Sequence, residues 1–182
     1  MQILLASNNR KKRAELERLL APLGHGILSP GDVGGLPEVA EDQPTFRGNA
    51  AVKAISAARA ARRWSLADDS GLEVDALGGA PGVRSARFAG AHGDDAANNA
   101  ALLERLSSVG EERRGARFVC ALALADPAGE LRLEVEGAVR GRILAAPRGH
   151  SGFGYDPLFL FTEEGWPGSG RSFAELGAEE KA

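Results

Sequence analysis

The stretch SLADDSGLEVDALGGAPG, residues 65–82, sets a short apolar run against two adjacent acids, alternates apolar and polar residues, and closes in glycine and proline. WSLAD reads as a strand, GLEVDAL as a half-exposed strand and GGAPG as a loop. Upstream, Thr45 caps a helix predicted through about Arg63, whose many alanines permit close packing. Farther upstream, residues 2–6 (QILLA) read as a buried strand. Asn8 or Asn9 can then cap a helix to about Ala21, with Leu16, Leu19 and Leu20 on one face and Pro22 and Gly24 ending it. A short strand near Gly26–Ser29 leads into the loop GDVGGLPEVAEDQP. Downstream come a helix over Asp94–Leu106 and strands in ARFVCALALA, ELRLEVEGAV and GRIL, the first two joined as a hairpin by DPAG. Helix–strand alternation early and hairpins late predict an α/β fold with a mixed sheet.

Composition narrows the function. A chain of 182 residues suits one domain, or two small lobes around a cleft, with no linker to divide it. A net charge of −3 with 26% charged residues argues against a basic surface for nucleic acid. The apolar run in MQILLASNNRKK is too short for a signal peptide or a membrane span, so the expectation is a cytoplasmic protein with no membrane partner. Cys120 is the single cysteine, which excludes an internal disulfide framework, and within FVCALALA it reads as a small core residue. Of 22 Lys and Arg residues only Lys11, Lys12, Lys53 and Lys181 are lysines, a bias that points to places where a compact charge is wanted.

Four constellations carry chemistry. SNNRKK, residues 7–12, lies at a strand-to-helix junction, where backbone N–H groups, Ser and Asn side chains and a lysine one turn in can hold a phosphate. It is not a P-loop, because GxxxxGK followed by Ser or Thr is absent. Glu41 lies in the acidic loop, and Asn49 and Lys53, four apart on the second helix, share a face. Asp68 and Asp69, as neighbours in a strand, point to opposite faces, so only one need face a ligand, holding Mg²⁺ or taking a proton from water. GHSGFGYDP, residues 149–157, offers Phe153 and Tyr155 for stacking a base and Asp156 as an acceptor, on a backbone that Gly154 and its neighbours leave open. His25, His92 and His150 have no ligand spacing.

In this order, SNNRKK, EDQPTFRGNAAVKA, LADDSGLEVDALGGAPGVRSARFAG, ARFVCAL and GFGYDPLF resemble the inosine triphosphate pyrophosphatase family, from residue 2 to the end of the chain. The resemblance implies an elongated mixed β-sheet with flanking helices, two lobes around a central cleft, a homodimer, Mg²⁺ dependence and cleavage of ITP, dITP and XTP to monophosphate and pyrophosphate. It further implies that Ser7, Asn8, Asn9, Arg10, Lys11 and Lys12 bind the triphosphate. Glu41 and Asp69 match the metal acids, with Asp69 also the proton acceptor and Lys53 its catalytic companion. Asn49, Ser70, Phe153, Gly154, Tyr155, Asp156 and Lys181 match substrate contacts.

Two departures stand out. Gly48 replaces the Glu usual before the helix-motif Asn, and the family continues past Lys181 to a Ser-His-Arg segment, so the helix expected to start at Ser172 reads as cut short. A pyrophosphatase of modified pyrimidines and a weakly catalytic nucleotide-binding protein are the alternatives.

Overall fold

The computed structural model describes residues 1–177 and 179–181; the side chains of Arg10 and Lys11, both expected to touch phosphate, lie outside the described residues, as do Ala178 and Ala182. Nine main elements follow in chain order: β1 Gln2–Leu5, α1 Arg10–Leu20, β2 Gly26–Leu28, α2 Phe46–Ala61, β3 Ser65–Val74, α3 Asp95–Arg105, β4 Gly115–Ala125, β5 Leu131–Ile143 and β6 Phe159–Phe161. The strands form one sheet in the order β2-β1-β3-β4-β5-β6. The chain divides into two compact units, Met1–Asp69 with Cys120–Gly137, and Ser70–Val119 with Ala138–Ala182.

In the first unit β1 pairs in parallel with β2 (Ile3 opposite Ile27) and with β3 (Leu5 opposite Leu66). The connection from β1 to β2 runs through α1, and the return from β2 to β3 runs through α2 in the opposite direction across the sheet. Because such crossovers are right-handed, the two helices cover opposite faces. Packing agrees: Ile3, Leu5, Ile27 and Leu66 form a cluster with Leu16 and Leu20 of α1. Leu4 and Ala67, one residue out of phase, are fully buried on the other face, toward α2 with its buried Ala50, Ala54, Ala57 and Ala58. Thr45 caps α2 as predicted, accepting from the Gly48 N–H at 3.1 Å, and Arg62 ends it two residues early by entering the left-handed region.

Three strand expectations change. WSLAD and GLEVDAL are one ten-residue strand, and ELRLEVEGAV with GRIL is one of thirteen. Strand β6, which the pattern did not suggest, pairs antiparallel with the end of β5, Gly141 opposite Phe161. A Cβ at Gly141 would lie 2.3 Å from the Leu160 carbonyl, so glycine there admits the neighbouring strand rather than breaking β5. Cys120 is exposed, not core: β4 buries Val119, Ala121, Ala123 and Ala125, and strand alternation turns Cys120 the other way.

The predicted turn between β4 and β5 is organised by Asp126. Its Oδ1 accepts from the Ala128 and Glu130 N–H groups at 2.9 and 3.1 Å, and its Oδ2 from Arg132 Nε at 2.8 Å. Arg132 first, then the backbone donors, hold this carboxyl below its ordinary range. A depressed acid contributes stability that is present above its unfolded pKa and is lost as pH falls through the folded value. Asp126→Asn is therefore expected to lower the melting temperature at pH 7, with the gap to wild type shrinking below about pH 4. A gap that stays constant across that range in thermal melts would count against the carboxylate's role.

The second unit closes around Leu72, Val74, Leu102, Leu106, Ala116, Ile143, Tyr155, Leu158 and Phe159. Phe159 also packs edge-on to Phe173 at 4.8 Å between ring centroids. The Ser172–Glu175 capping box forms, but Leu176 is extended, so a single 3-10 turn over Phe173–Glu175 stands where a longer helix was expected. Among the described residues no helix is long and apolar enough to cross a membrane.

Candidate functional site

β1 ends at Leu5, and the Ala6 N–H donates to the Leu66 carbonyl, so the residues after β1 emerge beside the part of β3 that carries Asp68 and Asp69. With β2 and β3 flanking β1 and helices on opposite faces, the sheet changes winding direction here. Open parallel sheets bind ligands outside the carboxyl ends of such strands.

Asn9 caps α1: its Oδ1 accepts from the Lys12 N–H at 3.3 Å, while its own N–H donates to Ser7 Oγ at 3.2 Å. Asn8 is exposed beside them. Lys12, one turn into α1, forms an ion pair with Asp68. Burial works against the Lys12 charge, but Asp68, with smaller help from Asp69 and Cys120, raises its pKa on balance, and the ammonium persists.

Asp69 points the other way. Leu66 belongs to the α1 face, so Asp68 two residues on shares it, and Asp69 shares the α2 face with Ala67. Its Oδ2 accepts from Asn49 Nδ2 at 2.9 Å, and its Oδ1 lies 3.5 Å from Lys53 Nζ. The same ammonium donates to Glu41 Oε1 at 3.1 Å. Two carboxylates thus converge on one cation. Burial raises the Asp69 pKa above the usual carboxylate range, Lys53 and Asn49 oppose that, and Glu41 adds to it.

The structure brings together Glu41, Asn49, Lys53 and Asp69 and shows what holds Asn49. It is fully buried, and its Oδ1 accepts from the Gln43 N–H at 3.0 Å while its Nδ2 donates to Asp69. Asn49 ties the loop bearing Glu41 to the carboxylate of Asp69. Gly48 has its own reason: a Cβ there would lie 2.9 Å from Gln43 Cβ, in space that the Gln43 side chain fills.

Mg²⁺ fits this donor set. It takes oxygen ligands, and one or two carboxylates together with substrate phosphates and water satisfy it. Glu41 and Asp69 direct an oxygen each at a point already favourable to positive charge. Among the described residues no three His, Cys, Asp or Glu side chains form a metal cage.

In the second unit Ser70 follows in β3, half-buried. The Phe153–Asp156 turn is held by the Asp156 N–H donating to the Phe153 carbonyl at 3.2 Å and by Asp156 Oδ2 accepting from the Phe153 N–H at 3.2 Å. Lys181 Nζ donates to the same oxygen at 2.8 Å, so this lysine near the chain end is tied down. Gly152 is required: at φ +84°, a Cβ would stand 2.0 Å from that oxygen. Tyr155 departs from expectation. Only 4% exposed, it packs in the core and donates its hydroxyl to the Ser85 carbonyl at 2.9 Å, so its ring offers no free face. Phe153 is 37% exposed. The sequence reading missed Asp95 and Asn99 of α3, which contact Gly154; their only signal was a polar pair at helical spacing of four.

A capped helix start with a paired lysine, set beside buried acids where an α/β sheet changes direction, is the apparatus of a phosphate-handling α/β protein. The chain belongs to the Ham1 family, whose model matches residues 3–182. It is 50% identical over 181 residues to a dITP/XTP pyrophosphatase of Desulforamulus reducens, covering all of this chain and 87% of that one. A dITP/XTP pyrophosphatase of Mycobacterium tuberculosis is 51% identical over 183 residues, covering 99% of this chain and 86% of that one. Among solved structures, a nucleoside-triphosphatase described as a dITP/XTP pyrophosphatase from Mycobacterium abscessus matches with a TM-score of 0.82 at 49% identity, covering 100% of this chain and 92% of the other. A HAM1 protein from Coxiella burnetii matches with a TM-score of 0.88 at 38% identity, covering 100% and 89%.

Proposed function

We propose that this chain is a Mg²⁺-dependent hydrolase of non-standard purine nucleoside triphosphates, converting ITP, dITP and XTP to monophosphate and pyrophosphate. Family membership and the pyrophosphatase relatives support the reaction class. The observation that carries the mechanism is the convergence of Asp69 and Glu41 on Lys53, with Asn49 fixing the other Asp69 oxygen.

Ser7, Asn9 and the first N–H groups of α1 bind phosphate oxygens, and Lys12 adds charge beside them. Asp69 orients a water toward the α-phosphorus and takes its proton as the new P–O bond forms and the bond to the departing pyrophosphate breaks. Its raised pKa suits a base near neutrality better than an ordinary carboxylate would. Lys53 offsets charge on the leaving group. Glu41 and Asp69 would hold Mg²⁺, which when bound would supply Lewis acidity on the phosphates and lower the pKa of water. In the second unit, Phe153 stacks on the base, and the Asp156–Lys181 pair meets its polar edge. A homodimeric, cytoplasmic protein completes this reading.

Products test it. Incubating ITP, dITP, XTP, GTP and ATP with and without Mg²⁺ is expected to give monophosphate and pyrophosphate from the first three, with Mg²⁺ only. IDP and orthophosphate as the initial products of ITP would overturn attack at the α-phosphorus.

A further inference from the structure

The Phe153–Asp156 turn is gripped through a residue that has no side chain. The Gly154 N–H donates to Asp95 Oδ2 at 2.7 Å, and the Gly154 carbonyl accepts from Asn99 Nδ2 at 2.8 Å. Both donor and acceptor come from α3, four residues apart and hence on one face. The Asn99 amide also donates to the Asp95 carbonyl at 2.8 Å. Two carbonyl oxygens therefore face its nitrogen, and a flipped amide would set oxygen against both, so its orientation is fixed.

α3 is a firm support. Asp94 caps it by accepting from the Ala97 N–H at 2.9 Å, and Leu102 is fully buried in the core. The same helix braces the second anchor of the turn. Asn98 accepts from the Ala89 N–H at 2.8 Å and donates to the Ala86 carbonyl at 3.3 Å, holding the segment whose Ser85 carbonyl receives the Tyr155 hydroxyl. Gly154 and Tyr155 are thus both fixed from α3, directly or through one segment, while Phe153 and Asp156 on either side carry the groups that face a base.

We propose that Asp95 and Asn99 are positioning residues for base selection, setting Phe153 and Asp156 by clamping both backbone groups of Gly154. The inference rests on the reading of this turn as the base-recognition element. A purine with a 6-oxo group and an N1–H presents the reverse of adenine's edge, and rejection of the wrong edge depends on site groups that cannot shift to accommodate it. Loosening the clamp lets them shift.

The test compares kcat and KM for ITP and ATP in wild type, Asn99→Ala, Asp95→Ala and Asp95→Asn, with thermal melts alongside. Losing a hydrogen bond from either residue is expected to raise the KM for ITP about tenfold and to cut the ITP-to-ATP ratio of kcat/KM by about tenfold or more. kcat at saturating ITP should stay within about threefold of wild type, since the phosphate-handling residues are untouched. Asp95→Asn keeps an acceptor oxygen and should recover most of the ratio. Folded alanine variants with an unchanged ratio, or with kcat falling equally for both nucleotides, would overturn the clamp alone. A wild-type protein indifferent between ITP and ATP would overturn the base-recognition reading and the clamp with it.

Discussion

Asp69→Asn is expected to reduce kcat for ITP by about 10²- to 10⁴-fold, the range for removing a well-placed general base, and further if Mg²⁺ is also lost. Binding of a non-hydrolysable ITP analogue should persist, because the amide still offers an oxygen to Asn49 and removes a negative charge from the phosphate site. Asp68→Asn makes the sharper control. Asp68 is as buried as its neighbour but faces α1, where its partner is Lys12. Its loss should act mainly through a weaker hold on Lys12, raising KM with a much smaller fall in kcat. Steady-state kinetics on the two variants side by side decide the matter, and equal losses of kcat would sink the division of labour between the faces of β3.

Lys53→Met separates two roles that a single activity measurement would merge. The ammonium stands between Glu41 Oε1 and Asp69 Oδ1, at 3.1 and 3.5 Å. Without it, the two carboxylates lose the cation they share, and a divalent cation becomes a better partner for them. Mg²⁺ binding to the nucleotide-free protein, followed by calorimetry, is expected to tighten by about tenfold, the effect of removing a nearby like charge worth about 1.4 kcal/mol. On the proposed mechanism, in which this charge offsets the departing pyrophosphate, turnover should fall by about 10²- to 10³-fold. Metal affinity and rate moving in opposite directions is the signature. Affinity falling together with rate would mean that Lys53 organises the acids instead of competing for them.

Local rules carried much of this far. Caps at Asn9 and Thr45 and the Ser172–Glu175 capping box were legible because each is settled within three or four residues. Strand alternation separated Asp68 from Asp69, and helical spacing put Asn49 and Lys53 on one face. The same rules failed where the outcome depends on what lies across the sheet. Cys120 sits in an apolar run that reads as core, yet alternation leaves its side of β4 uncovered at that position. Tyr155 reads as a stacking face beside Phe153, and only the carbonyl of Ser85, seventy residues away in sequence, decides that its hydroxyl and ring belong inside.

By itself, the sequence determined the α/β class, the family, and which residues share a strand or helix face, because periodicity, capping and motif order are properties of the chain. Tertiary structure alone decided the partnerships. That Asn49 bridges the Gln43 backbone to Asp69, that Lys53 is shared by two acids, and that Asp95 and Asn99 grip Gly154 all depend on groups brought together from distant parts of the chain. A buried polar group must find a partner wherever the fold puts one, and packing, not spacing along the chain, chooses which.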